Sequence, residues 1–185
     1  MDSDSQPYIE LTADSRTFRI DPNKIESLTK IICTGLGVET FELSWDFVDD
    51  EVMQTLNHQY REKNTSTDVL SFPQQEWEEP LEFIAPPWPI EARAEEDVDE
   101  DIPPELLGDV VISPSVALKN ARSIGHDLDR EVCFLLVHGI LHLCGHDHLE
   151  PIEEERMTAQ QQKIMTYLEA IDGAPLWTHC AKLEV

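Results

Sequence analysis

The feature that most constrains the fold is a helix-length segment, residues 129–144, that is apolar on nearly every side. Its large apolar residues are Val132, Phe134, Leu135, Leu136, Val137, Ile140, Leu141 and Leu143. A helix that is hydrophobic all round must be buried inside a core. Two histidines, His138 and His142, nevertheless interrupt the segment. We therefore predict a central buried helix, around which the rest of the chain packs and which carries polar groups inward.

The flanking segments predict both strands and helices. Strands are expected in the β-rich residues 8–20, in the alternating residues 40–48, and over 67–73 and 107–113. Helices are expected from Pro22 to Gly35 or Gly37, from about Asp49 to Arg61, from Pro114 to about Gly125, and from Pro151 to Gly173. The second of these should bury Val52, Met53, Leu56 and Tyr60. We expect the early strands to be antiparallel. The sequence from Ala174 onward indicates no particular structure.

These elements favour the α+β class, with α/β as the alternative: one small mixed β-sheet with helices around the central histidine helix, a zincin-like arrangement. A length of 185 residues suits one core, so we predict a single domain over residues 1–185. Two small domains are the weaker possibility.

The histidines have the spacing of a metal site. His138 and His142, at i and i+4, share one helix face, and Gly145 can end the helix and turn the chain so that His148 supplies a third ligand. The pattern matches the metzincin signature except at Gly139, where those peptidases have a general-base glutamate. Three histidines with an open fourth position are typical of catalytic zinc, although nickel or copper would also suit them.

The neighbouring residues leave alternatives open. His146 could compete as a ligand. Asp147 could orient a ligand histidine or shuttle protons, and equally it could be a solvated acid of the turn. Cys144 falls on the opposite helix face from His138 and is expected in the core. Together with Cys33, Cys133 and Cys180 it has no C-x-x-C spacing, so four reduced and mostly buried thiols are expected.

Residues 74–105 differ from the rest of the chain, with twelve acidic residues against one arginine, and six prolines. The composition predicts a flexible, solvated loop inserted into the domain. The alternative is a gating flap or a docking segment for a basic partner, anchored by Trp77, Phe83, Ile84 and Trp88. The net charge of −25 opposes general binding to nucleic acid. No apolar run is long enough for a membrane helix, and the acidic start lacks a secretory signal, so a cytoplasmic protein is expected.

The segment HGILHLCGHDH resembles the motif H-G-x-L-H-L-x-G-[YH]-D-H of the YbeY family, the bacterial rRNA-maturation endoribonucleases. The stretches LNHQYREKNTSTDVLSFP (56–73) and LGDVVIS (107–113) agree with the same family. The resemblance implies one zinc ion per chain on His138, His142 and His148, and a functional arginine at Arg61. It also implies a single-strand-specific endoribonuclease that matures the 3′ end of small-subunit rRNA and acts in ribosome quality control.

Two features depart from the family pattern. Asn64 and Ser66 replace an acid and a proline, for which we expect local changes of the turn only. The acidic segment is longer than is usual in the family, so it would lie in the way of RNA or serve to dock a partner.

For the mechanism, we expect Arg61 to clamp the scissile phosphate near the metal, although a helix C-terminal charge is the simpler role for such a residue. A small basic cluster could assist if helix 114–125 packs near the site; it would comprise Arg61, Lys63, Lys119, Arg122 and Arg130. The expected partners are rRNA in the small ribosomal subunit and a basic ribosomal protein bound through residues 74–105, with neither DNA nor membrane.

Two other functions compete with the endoribonuclease. A peptidase is disfavoured by Gly139. A non-catalytic ribosome-assembly factor with a structural metal would need a closed site with a fourth ligand such as His146.

Overall fold

The computed structural model describes residues 7–13, 15, 17–90 and 103–184, and these residues form six strands and five helices. In chain order the elements are β1 (Tyr8–Ala13), β2 (Phe18–Ile20), α1 (Pro22–Gly35), β3 (Phe41–Phe47), α2 (Asp50–Arg61), β4 (Val69–Pro73), β5 (Glu105–Ile112), α3 (Pro114–Ile124), α4 (Leu128–Leu143), α5 (Pro151–Ala170) and β6 (Ala181–Leu183). The predicted α+β class is confirmed.

The main sheet has the strand order β1-β3-β5-β4 and mixed direction. β1 pairs parallel with β3 and β3 pairs parallel with β5, whereas β4 runs antiparallel to β5. The expectation that the early strands are antiparallel is therefore wrong. A helix, α1, separates β1 from β3, and such a connection returns the chain to the same end of the sheet, as parallel pairing requires.

Helix α4 lies in the centre of the core, as predicted. Between residues 131 and 143 every residue is buried except Phe134, His138 and His142. The helix packs against α1, α3, α5 and the sheet. Gly139 permits this close approach, because a Cβ atom there would lie 2.7 Å from Cγ1 of Val110 on β5. The tight contact leaves one narrow stripe of α4 open to solvent.

Helix α2 covers the opposite face of the sheet. Val110 of β5 belongs to the core around α4, whereas its neighbour Val111 packs with Met53 of α2 in a second cluster, and successive strand residues point to opposite faces. Fewer residues of α2 pack against the sheet than the sequence predicted. Val52 and Tyr60 are 48% and 58% exposed, so their predicted burial is wrong.

The end of the chain also holds structure that its sequence did not indicate. β6 pairs antiparallel with β2 in a separate two-stranded sheet, and Trp177 and Cys180 are buried. Strands of three residues carry too little periodicity to be recognised. All four cysteines are free and buried, in agreement with the expected reduced thiols, and burial raises the pKa of Cys144 to about 12.

Residues 74–90 correct the expectation of a flexible, solvated loop. They contain no α-helix or strand, yet Phe83 is fully buried against Gly35. The backbone N–H of Phe83 donates to the side chain of Gln160 at 2.9 Å, and the N–H of Ile84 donates to the carbonyl of Gly35 at 2.8 Å. The segment is therefore tied across α1 and α5. The remainder of the predicted insertion, residues 91–102, lies outside the described residues.

Three of the four proposed anchors hold this segment in place. The indole nitrogens of Trp77 and Trp88 donate to the Leu143 carbonyl at 2.9 Å and to the Asp172 carboxylate at 3.3 Å, and Phe83 fills the core. Ile84 does not act as an anchor, because its side chain is 77% exposed.

Among the described residues, no helix combines the length and the apolar character needed to cross a membrane.

The packing of residues 74–90 predicts a large effect of Phe83→Ala. Removing a fully buried phenylalanine should lower the free energy of unfolding by about 3–5 kcal/mol, because it leaves a cavity against α1. The exposed neighbour provides a matched control: Ile84→Ala should change it by less than about 0.5 kcal/mol. Urea unfolding followed by circular dichroism measures both. Equal, small effects would mean that the segment is a solvated loop after all.

Candidate metal centre

Three histidines converge at the exposed stripe of α4. The Nε2 atoms of His138 and His142, one turn apart on the helix, lie 3.0 Å from each other. His148 joins them from the loop after the helix, and one ring nitrogen from each of the three falls within 4.8 Å of the others. The sequence predicted this set, and the structure brings all three together.

The turn that returns His148 to the helix depends on Gly145. Its φ of +94° lies in the left-handed region, which favours glycine, and a Cβ atom there would come within 3.2 Å of Trp77. The N–H of His146 then donates to the carbonyl of Leu141 at 2.9 Å, which closes the helix end. The chain therefore reverses directly after α4, as the Gly145 position predicted.

Hydrogen bonds orient the two helical imidazoles. Nδ1 of His142 lies 2.9 Å from the carbonyl oxygen of His146. Since a carbonyl only accepts, Nδ1 carries the proton and Nε2 keeps its lone pair for a metal. The amide nitrogen of Gln161 lies 3.5 Å from Nδ1 of His138. Rotating this amide by half a turn presents its oxygen to Nδ1, as ligation through Nε2 requires.

The local environment keeps both imidazoles neutral. Burial, with smaller contributions from the neighbouring His148 and the guanidinium of Arg61, lowers the pKa of His138 to about 4. Burial likewise lowers the pKa of His142 to about 4, with additional contributions from His138 and His148. At neutral pH both rings therefore offer free lone pairs, the form that binds a metal.

His146 serves a different purpose from its neighbours. It is only 3% exposed, and its Nε2–H donates to the carbonyl of Leu81 at 2.7 Å. This hydrogen bond connects the loop after α4 to the segment 74–90. No pattern in the sequence predicted this contact. Within the described part of the chain, the group able to hold a metal contains His138, His142 and His148 and no fourth residue.

Asp147 lies at the rim of the centre. Its carboxylate accepts the backbone N–H of His148 at 2.7 Å, and its charge raises the pKa of His142, against the larger effect of burial. The side chain is half-buried. A role in proton transfer for Asp147 stays a prediction.

Gly139 excludes the glutamate of the metzincin peptidases for a reason of packing. The hypothetical Cβ at this position meets Val110 of the sheet at 2.7 Å. A larger side chain would have to push α4 away from β5, which overpacking penalises. The contact with β5 therefore accounts for the departure from the peptidase pattern.

Arg61 ends α2 on the side of the histidines. Its side chain is exposed, and its charge contributes to the low pKa of His138. The following loop is fixed by Glu62, which caps α2 with a φ of +57°, and by the amide of Asn57, which donates to the Thr65 carbonyl at 2.7 Å. The end of α2 thus places the guanidinium of Arg61 within electrostatic reach of His138.

Lys119 of the predicted basic cluster does not lie beside Arg61. Helix α3 does pack along α4, but Lys119 pairs with Asp50 at 3.4 Å, at the first residue of α2. Arg61 is the last residue of that helix, about 16 Å away along its axis.

The two departures from the family motif, Asn64 and Ser66, lie in the loop between α2 and β4. Asn64 accepts hydrogen bonds from Gln54 at 3.1 and 3.2 Å through its carbonyl and side-chain oxygens. The hydroxyl of Ser66 is buried without a hydrogen-bond partner.

Comparison with known proteins places these features in one family. A family model described as endoribonuclease YbeY matches residues 10–169. The endoribonuclease YbeY of Halalkalibacterium halodurans is 41% identical over 131 residues, which is 71% of this chain and 74% of that protein. That of Geobacillus thermodenitrificans is 37% identical over 163 residues, 85% of this chain and 95% of the relative.

A solved structure supports the fold. The solution structure of TM1509 from Thermotoga maritima superposes with a TM-score of 0.54, covers 86% of this chain and 87% of its own, and is 22% identical in sequence. At that identity the likeness concerns the fold alone.

The different contacts of His142 and His146 predict different losses on substitution. His142→Ala should abolish stoichiometric metal binding, because two imidazoles hold zinc far more weakly than three. His146→Ala should retain the metal but lower thermal stability, since it leaves the Leu81 carbonyl buried without a donor. Metal content by mass spectrometry and thermal melts measure both properties. Loss of metal in His146→Ala alone would make His146 the ligand.

Proposed function

The chain belongs to the YbeY family of endoribonucleases, and on that premise we propose that it cleaves single-stranded RNA at the histidine centre, in maturation of the 3′ end of small-subunit rRNA and in ribosome quality control. The observation that carries the proposal is the convergence of His138, His142 and His148 within reach of Arg61. We further propose that residues 1–185 act as one cytoplasmic hydrolase domain with the acidic insertion at 74–105.

The donor set fits one zinc ion. Three imidazole nitrogens that lie within 4.8 Å of one another can each move the short distance to a common centre. Other divalent transition metals suit the same nitrogens. A bound metal supplies a Lewis acid, which polarises a phosphoryl oxygen and makes water a better nucleophile at neutral pH.

The protein side chains position the reacting groups. The planar guanidinium of Arg61 can hold the scissile phosphate through two parallel hydrogen bonds, a geometry that a lysine cannot reproduce. The carbonyl of His146 and the amide of Gln161 keep the ligand rings in place. We propose that Asp147, whose charge raises the pKa of His142, accepts a proton from the attacking group or returns one to the leaving group.

The net charge of −25 weakens the binding of free RNA and favours presentation of the substrate by a partner. A negative protein repels free RNA at long range, so the small ribosomal subunit is the proposed context for cleavage. The segment 74–90 presents exposed carboxylates on an ordered backbone: Glu76, Glu78, Glu79 and Glu82. Such a surface suits a basic ribosomal protein, and we propose the whole insertion as its docking segment.

The acidic surface also favours a second candidate, an assembly factor without catalysis. A purely structural zinc site normally has four protein ligands. The described residues provide three, which supports catalysis instead.

Cleavage of a labelled single-stranded rRNA 3′ precursor tests the proposal. The wild type should cut, and His142→Ala should lose both cutting and metal. Arg61→Ala should keep the metal and lose about 100-fold or more in kcat/KM, because one charged donor to the developing phosphoryl charge is removed. Arg61→Lys should recover only part of this loss.

Arg19→Ala is the control, because it removes an exposed arginine from β2 of the separate two-stranded sheet. It should cut like the wild type. If metal-loaded protein cuts neither free RNA nor precursor in small-subunit particles, the enzyme proposal fails and the assembly factor is supported.

A further inference from the structure

The open stripe of α4 extends beyond the histidines. Arg130, Phe134, His138 and His142 follow one another at intervals of four residues and are all half-buried, whereas the residues between them from 131 to 143 are buried. Residues at this spacing share one helix face. We infer that Phe134 and Arg130 form a subsite for the nucleotide next to the cleaved bond, with its base stacked on Phe134 and a phosphate held by Arg130. The inference rests on the proposed function.

Phe134 lies directly beside the metal centre. Its ring centroid is 6.4 Å from that of His138, and the two rings are inclined by only 25°. The side chain packs against the core on one side but is not fully buried, unlike the aliphatic residues around it. An aromatic ring with accessible surface beside a nuclease centre can stack any base, because every base has a π-face.

Arg130 continues the stripe by one helical turn. Within the described part of the chain its guanidinium has no hydrogen bond or ion pair, although acids outnumber bases 38 to 13. The charge of Arg130 lowers the pKa of Glu131, against the larger effect of burial, but both adjacent acids have their direct contacts with other groups. Asp129 accepts the N–H groups of His179 and Ala181, each at 2.8 Å, and Glu131 pairs with His126 at 3.0 Å.

The distances suit a short stretch of one RNA strand. Eight residues separate Arg130 from His138, which corresponds to about 12 Å along the helix axis. A phosphate on Arg130 and a reacting phosphate at the histidines could therefore belong to the same few nucleotides, with a base on Phe134 between them. Because a paired base keeps both faces inside the duplex, the subsite accepts only unpaired RNA.

The test is a cycle of RNA and protein changes. Full-length wild type, Phe134→Leu and Phe134→Tyr are compared on single-stranded RNAs in which one base at a time around the cleavage position is removed to leave an abasic sugar. In the wild type, one abasic position should raise KM and Kd by about fivefold or more. Phe134→Leu should bind intact RNA as weakly as the wild type binds the RNA with that abasic position. Its KM and Kd should not rise further when the same base is removed. Phe134→Tyr should behave as the wild type.

The controls separate stacking from stability and from the proposed function. Phe72→Leu makes the same change at a half-buried phenylalanine that packs with α2 on the opposite face of the sheet, and it should leave KM unchanged. Arg130→Gln should remove about one phosphate contact. The slope of log K against log salt concentration should therefore become shallower by ~0.7. Equal losses at every abasic position in wild type and Phe134→Leu would overturn the subsite.

The Kd measurements do not depend on cleavage of the RNA. If the wild type binds RNA with the predicted abasic pattern but cuts nothing, the subsite stands and the endoribonuclease proposal fails. If cleavage occurs and Phe134→Leu retains the full abasic penalty of the wild type, the subsite fails alone.

Discussion

The contact between Gly139 of α4 and Val110 of β5 is the constraint on which the rest of the structure depends. The helix approaches the sheet so closely that a single Cβ atom would collide with the valine. This contact fixes the rotation of α4, so that one narrow stripe faces outward while the remaining residues fill the core. The histidines, Phe134 and Arg130 all lie on that stripe. The same contact excludes the glutamate that would make the centre resemble that of a peptidase.

Burial has two effects on the histidine centre. It removes water from around His138 and His142, which lowers the pKa of each to about 4 and keeps both rings neutral. It also places the hydrogen-bond partners of their Nδ1 atoms in the fixed interior, at the His146 carbonyl and the Gln161 amide. A metal bound there would meet ligands that are already deprotonated and oriented, which reduces the cost of binding.

The sequence predicted the parts of this protein that repeat a pattern. Amphipathic spacing and capping residues located the five helices to within a few residues, and His138, His142, Gly145 and His148 identified the candidate centre. Residues 74–90 escaped prediction because their order comes from contacts with distant residues, such as the bond from the Phe83 N–H to Gln160. The parallel pairing of β1 with β3 was not predicted for a similar reason. The direction of a strand depends on how the chain connects it to its neighbour, and the alternation of apolar and polar residues does not reveal that connection. Tyr60 is exposed although it belongs to the apolar stripe of α2, so such a stripe identifies the residues that can be buried and not those that are.

We propose that one metal is held by His138, His142 and His148, the group that the described residues bring together without a fourth protein ligand. X-ray absorption at the zinc edge of the purified full-length protein tests it most directly. Three imidazole nitrogens at about 2.0–2.1 Å and one further oxygen ligand from solvent are expected. A sulfur ligand at about 2.3 Å, a fourth imidazole, or protein that holds no stoichiometric metal would contradict it.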